Sequence, residues 1–308
     1  MRILKIIMKG CLMKKLNMIG AGFGVGGFNH TSHDAPNAFQ HSDALKQLQQ
    51  EKIICHWLQT IDDRSFFDGP STALKHEERL NIVHQVNVLL AQLVFQQVQQ
   101  QQRFCVIGGD HSSAIGTWSG AASALDGNLG LIWIDAHMDA HTFETTHTQN
   151  VHGMPVATLL GKGHEKLTQI LTLQPKIKPE NICLIGIRSF EREEADFLKN
   201  LNVTVFSNKD VEQQGLETLL QRAHQQVTRN TVGFGFSIDL DGFDPEYAPG
   251  TGTPVAEGMD ANDFCRIVTQ WADDPKLLGF EIAEFNPHLD LDKITEKTMA
   301  NIIRAFQK

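Results

Sequence analysis

Apolar runs of strand length recur along the chain, and several break abruptly into polar groups. The sharpest is Leu131-Ile132-Trp133-Ile134, which runs straight into Asp135-Ala136-His137-Met138-Asp139. Phe104 to Gly109 ends in Asp110-His111, Val232 to Ile238 in Asp239-Leu240-Asp241, and Leu277 to Ala283 in Glu284-Phe285-Asn286-Pro287. Lys15 to Gly20 and Ile182 to Arg188 read as further strands. Continuous apolar strands suit a parallel sheet covered on both faces. Helical patterns lie between them. Glu77 to Gln102 places Leu80, Val83, Val86, Leu89, Leu90, Leu93 and Val94 on one stripe, and shorter patterns fall at 190–200, 212–228, 261–272 and 291–307. Such alternation predicts an α/β fold, a parallel sheet with helices on both sides.

In open parallel sheets, sites form at the carboxyl ends of strands. Along an extended backbone, Asp135, His137 and Asp139 would project to one side, roughly 7 Å apart at the backbone. With His111, Asp239 and Asp241 they supply four carboxylates and two imidazoles. A single tetrahedral zinc needs fewer ligands and usually takes Cys and His. Six mostly oxygen donors suit two divalent ions of the manganese type, about 3.5–4 Å apart, with cobalt, nickel or zinc as occupants in vitro. Taken singly, Asp-x-Asp is a common cap, and Gly108-Gly109-Asp110-His111 is an ordinary strand-to-helix turn. Convergence on several strand ends is what points to metal. The positive charge of two such ions balances the four aspartates. A hydroxide bridging them leaves the cluster slightly negative, and coordination lowers the pKa of water toward ~7. Such a cluster tolerates a cation better than a phosphate, and Glu284 on a neighbouring strand end can hold one. His152, in the loop after the Asp-His-Asp motif, is placed for proton transfer, with a plain surface histidine as the alternative.

Length and composition narrow the picture. A chain of 308 residues can bury a full core, no linker divides it, and the site-like segments run from 108 to 287, so one domain is expected. A net charge of -9 without a basic stripe excludes nucleic acid as a partner. No run of about 18 apolar residues exists to span a membrane. Cys11, Cys55, Cys105, Cys183 and Cys265 show no CxxC spacing, which fits a reducing cytoplasm, and Cys105 and Cys183 read as core. The start of the chain looks superficially like a signal peptide, but Lys5, Lys9, Lys14 and Lys15 interrupt it. Residues 1–15 are expected to be a disordered extension before a catalytic domain at 16–308, with Met8, Met13 and Met18 as alternative translation starts. Gly22, Gly24 and Gly27 form GxGxxG, yet Phe28 to Pro36 reads as a loop where a dinucleotide site needs a helix. A loop on the substrate side is the better reading.

Gly108-Gly109-Asp110-His111-Ser112, Asp135-Ala136-His137-Met138-Asp139 and Ser237-Ile238-Asp239-Leu240-Asp241-Gly242-Phe243-Asp244-Pro245 resemble the three signatures of the ureohydrolase family, the arginases, agmatinases and relatives. The likeness runs from about Leu16 to Ala305. It implies a single-domain three-layer α/β/α fold around a parallel eight-stranded sheet, and two Mn²⁺ per chain. One ion would take His111, Asp135, Asp139 and Asp239, the other Asp135, His137, Asp239 and Asp241, with Asp135 and Asp239 bridging. It further implies attack of a metal-bridging hydroxide on a guanidinium carbon with release of urea. His152 would be the proton shuttle, Glu284 the carboxylate beside the guanidinium, and Asp139 a third catalytic residue. The family also implies a homo-oligomer, trimer or hexamer, acting on a small guanidino substrate.

Thr148-Gln149-Asn150-Val151-His152-Gly153 resembles the arginase loop Ser-Gly-Asn-x-His-Gly, whose Ser and Asn contact the substrate's α-carboxylate. L-Arginine, hydrolysed to L-ornithine and urea, is therefore the expected substrate, with agmatine or guanidinobutyrate as the alternative. Two positions depart from the arginase pattern. His141 stands where arginases typically place a carboxylate-binding Asn. Ser189-Phe190-Glu191 stands where many have Asp-Val-Asp, so Glu191 would have to receive the α-amino group. Pro249-Gly250-Thr251-Gly252-Thr253-Pro254 leans toward agmatinases. Among other classes, a metal-dependent deacetylase would leave Asp139, Asp241 and His111 without a task. A non-catalytic manganese-binding relative would leave His152 and Glu284 without one.

Overall fold

The computed structural model describes residues 15–172 and 175–308. Eight strands form one sheet: β1 (Lys15–Gly22), β2 (Ile54–Asp62), β3 (Phe104–Gly108), β4 (Leu129–Ile134), β5 (Ile182–Ile187), β6 (Thr204–Ser207), β7 (Gly233–Asp239) and β8 (Leu277–Ala283). They pair in parallel in the order β2-β1-β3-β8-β7-β4-β5-β6. Strands β3, β4, β5 and β7 are buried at every position, which is why their sequences are unbroken apolar runs. Successive side chains feed opposite faces. Cys105, Ile107, Ile132, Ile134, Phe236 and Ile238 pack on the side of Leu219, Leu220, Met299, Ile302 and Phe306. Phe104, Val106, Leu131, Trp133 and Leu184 pack on the side of Val86, Leu90, Val94 and Trp118. Helices Leu216–Thr228 and Ile294–Gln307 thus cover one face, and His76–Gln99 and Ser113–Ala124 the other, giving the three layers.

Strands β2 and β6 are the sheet edges, with half-exposed mixed-polarity sequences that no apolar run announces. The helix predicted over 212–228 is two, Asn208–Gln214 and Leu216–Thr228, parted at Gly215 with φ 84°. The expected extension falls outside the described residues except for Lys15, which opens β1 opposite Ile54. GxGxxG leads into a loop and a short 3-10 turn, His30–Asp34. No helix among the described residues is long and apolar enough to cross a membrane.

Register carries the fold into the site. Ile107, Ile282, Ile238 and Ile134 lie in one row across β3, β8, β7 and β4. The next row, Gly108, Ala283, Asp239 and Asp135, therefore sits at a common carboxyl edge. Strands β3 and β4 follow each other in the chain but have β8 and β7 between them, and a crevice opens at such a reversal of strand order.

Candidate metal centre

The polar residues after β3, β4, β7 and β8 converge on this crevice, though not along extended backbone. Strand β4 stops at Ile134, and Asp135 to Asp139 form a tight loop. The Asp135 carboxylate folds back to accept the His137 N–H at 2.6 Å, and the Asp239 carboxylate does the same for the Asp241 N–H at 2.8 Å. These local bonds hold each pair of side chains on one side, where strand alternation was the expected cause. Asp139 (φ 49°) and Glu284 (φ 62°) are left-handed, at a cost of about 1–3 kcal/mol each that sites commonly carry. At Gly109 a Cβ would lie 2.0 Å from the Phe23 carbonyl oxygen, so only glycine lets the β3 turn approach the loop from β1.

Two clusters share Asp135. In the first, His111 Nδ1 lies 3.0 Å from Asp239 Oδ2, 3.1 Å from Asp139 Oδ2 and 3.4 Å from Asp135 Oδ2. In the second, His137 Nδ1 lies 3.2 Å from Asp241 Oδ2 and 3.5 Å from Asp135 Oδ1. Asp135 thus turns one oxygen to each histidine. Asp239 joins only the first cluster, since its Oδ1 accepts the Asp241 N–H.

The donors fit divalent cations. His111 Nδ1 is buried without a hydrogen-bond partner, aimed at three carboxylates. Burial, and then the Asp135 charge, push Asp139 up to about 6. Burial with Asp241 and Asp135 raises Asp239 well above the carboxylate range. Burial opposes protonation of His111 and His137, yet the surrounding carboxylates pull both upward. Four acids packed this closely call for positive charge, and the donor set of oxygen and imidazole without thiolate suits manganese-type ions.

Beside the clusters lies a cavity of about 210 Å³, lined among others by Thr148, His152, Glu191, Glu194, Thr253 and Glu284. Glu284 Oε1 accepts the His111 N–H at 2.8 Å and pairs with His152 Nδ1 at 3.0 Å. Although burial opposes it, Glu284, with Asp139 and Asp110 behind it, lifts His152 to about 9. The His152 N–H donates to the Gly26 carbonyl at 3.0 Å, so the glycine-rich loop does border the site.

At the outer wall His141 and Glu191, read from the sequence as separate substrate contacts, bind each other: His141 Nε2 is 3.0 Å from Glu191 Oε2 and 3.4 Å from Glu194 Oε2. Burial drives Glu194 up to about 8. No metal or substrate motif singles out Glu194, although its place three residues into the capping box that opens helix Arg192–Asn200, where it accepts the Glu191 N–H, is a readable signal. Asn150 is nearly buried and is not among the cavity-lining residues; its N–H holds the Thr148 hydroxyl at 3.2 Å. Thr148 does line the cavity. His147 also lines it, unforeseen because a lone loop histidine carries no pattern.

A parallel sheet with this crevice carries acid–imidazole clusters at the ends of three of its central strands, β3, β4 and β7. A family profile described as Arginase family matches residues 14–307. Arginase from Bacillus caldovelox is 34% identical over 284 residues, covering 90% of this chain and 93% of its own. Arginase from Bacillus subtilis is 32% identical over 296 residues, 95% of this chain and 97% of its own. The native structure of the Bacillus caldovelox enzyme at pH 5.6 superposes with a TM-score of 0.86 at 33% identity, covering 96% of this chain and 98% of its own. The chain belongs to the arginase family and is a hydrolase of linear amidine C–N bonds.

Proposed function

We propose that the protein hydrolyses L-arginine to L-ornithine and urea with two manganese ions per chain. The observation that carries this is the pair of clusters sharing Asp135, next to a cavity that holds both a carboxylate, Glu284, and its paired imidazole, His152. His111, Asp135, Asp139 and Asp239 would hold one ion, and Asp135, His137 and Asp241 the other, with Asp135 the shared residue. When bound, such ions supply a strong nucleophile at neutral pH by lowering the pKa of water toward ~7.

The chain's own residues do the rest. Glu284 Oε1 is already engaged by His111 and His152, so Oε2 receives the guanidinium and fixes its plane. This is narrower than a two-oxygen grip on the cation. His152, held by Glu284 at Nδ1, keeps a proton through neutral pH and delivers it to the departing amine. Thr148 receives the α-carboxylate, and the His141–Glu191 pair opens to offer His141 to the carboxylate and Glu191 to the α-ammonium group. Agmatine lacks the carboxylate and leaves that wall unpaired. The chain works as a homo-oligomer, trimer or hexamer, in the cytoplasm.

The test is to strip the full chain of metal and titrate Mn²⁺ back while following urea release from L-arginine. Activity should rise with metal content and level off at two ions per chain. Full activity at one ion, or none at any loading, contradicts the proposal.

A further inference from the structure

Behind the first cluster lies a charged residue with no place in the chemistry so far. Glu281 sits in β8 among Phe280 and Ile282, fully buried. Its Oε1 accepts the Ser113 hydroxyl at 2.7 Å and lies 3.0 Å from Thr117 Oγ1, whose hydrogen is shared with the Ser113 carbonyl. Its Oε2 accepts the Ser237 hydroxyl at 3.0 Å. No lysine or arginine pairs with it among the described residues. A buried carboxylate held only by hydroxyls is costly, and a neutral amide would satisfy the same neighbours with less desolvation. Its charge therefore needs a use.

Ser237 shows what that use is. Its Oγ also lies 3.1 Å from His111 Nε2. Burial pushes Glu281 upward, but the Ser113, Ser237 and Thr117 hydroxyls draw it back toward the ionised form, and an ionised carboxylate only accepts, so the Ser237 hydrogen points at Glu281. The Ser237 lone pairs then face His111 and can only accept, which puts the imidazole proton on Nε2. His111 Nδ1, the buried atom without a hydrogen-bond partner, is left bare toward Asp135, Asp139 and Asp239. Trp133, stacked on the ring at 4.3 Å, fixes its plane. His137 has no such relay: among the described residues its Nε2 makes no hydrogen bond, and its side chain is 28% exposed. We propose that Glu281, acting through Ser237, is a positioning residue that sets the tautomer and basicity of His111 and so the affinity of the first metal cluster alone. This rests on the metal reading above.

The test measures bound Mn²⁺ per chain by equilibrium dialysis and atomic emission for the full protein and for Glu281→Gln, Ser237→Ala and the double variant. Gln can offer Ser237 either a donor or an acceptor, so it no longer dictates the direction of the relay. Partners behind a metal-ligating histidine typically contribute 10–100-fold in affinity. Each single variant should weaken one ion by about that factor and leave the other unchanged, and the double should lose no more than the worse single, since all act through one bond. Unchanged binding, or equal weakening of both ions, overturns the proposal and leaves Glu281 a packing residue. So does a silent Ser237→Ala, which decides alone if Glu281→Gln does not fold. A wild-type chain that binds fewer than two ions removes the metal reading and this proposal together, an outcome distinct from a variant effect.

Discussion

Glu284→Gln keeps the shape of a central side chain and removes its charge. In the structure this carboxylate accepts the His111 N–H at 2.8 Å, pairs with His152 Nδ1 at 3.0 Å and lines the cavity. A charge-assisted hydrogen bond is worth about 1.5–3 kcal/mol, and each 1.36 kcal/mol is a factor of ten in rate. Loss of the guanidinium contact alone should lower kcat/KM roughly 10–150-fold. A second effect runs through His152. Burial works against its imidazolium, and Glu284 is the largest of the groups that lift it to about 9. A raised pKa means the pair's stabilisation is fully present below the unfolded value of ~6.5 and is lost as pH rises through about 9. In the variant the ring gives up its proton earlier, so the alkaline fall in activity should move to lower pH. The assay is kcat/KM for urea release across pH, with metal content measured on the same samples. Metal content should be unchanged. Near-normal turnover would refute the guanidinium contact, and an unmoved alkaline limb the hold of Glu284 on His152.

Asp135→Ala should lose both ions in metal analysis, because one of its oxygens faces His111 and the other His137; retention of either ion contradicts the shared ligand. Thr148→Ala should cut kcat/KM for L-arginine by about tenfold, the value of one hydrogen bond, while leaving the slower hydrolysis of agmatine unchanged. Gly235→Ala would place a Cβ 2.3 Å from Cη2 of the fully buried Trp118, and overpacking of this kind costs about 1–3 kcal/mol. Calorimetry should show a Tm lower by a few degrees with metal binding retained, and an unchanged Tm would mean that Trp118 can yield.

The central half of the fold was legible because burial on both faces forces an apolar sequence. Strands β3, β4, β7 and β8 could be found from Val106, Ile132, Phe236 and Ile282 and their neighbours, and with them the acids at their ends. The edges were hidden for the converse reason. Ile54 to Asp62 in β2 is exposed or half-buried at every position but Ile61, so polar residues are free to enter. The ligand residues were legible as types and spacings, but not the geometry that gathers them. Asp135 and Asp239 turn their own loops inward by local hydrogen bonds, which strand alternation alone does not anticipate. The pairing of His141 with Glu191 and Glu194 was beyond reach because it joins the loop after β4 to the helix after β5. The Glu281 relay was hidden inside a run that reads simply as core.

The most direct measurement is kcat/KM of the manganese-loaded chain for L-arginine and agmatine side by side. Thr148, His141, Glu191 and Glu194 form a polar wall suited to α-carboxylate and α-ammonium groups. Agmatine lacks only the carboxylate, and because Thr148 and Glu191 are exposed the loss is that of the contacts themselves, about 1.5–3 kcal/mol for a hydrogen bond to a charged group. L-Arginine should be preferred by a factor of about 10 to 150. Equal or faster hydrolysis of agmatine would contradict the substrate assignment and mean that the His141–Glu191 pair closes this wall against an amino acid.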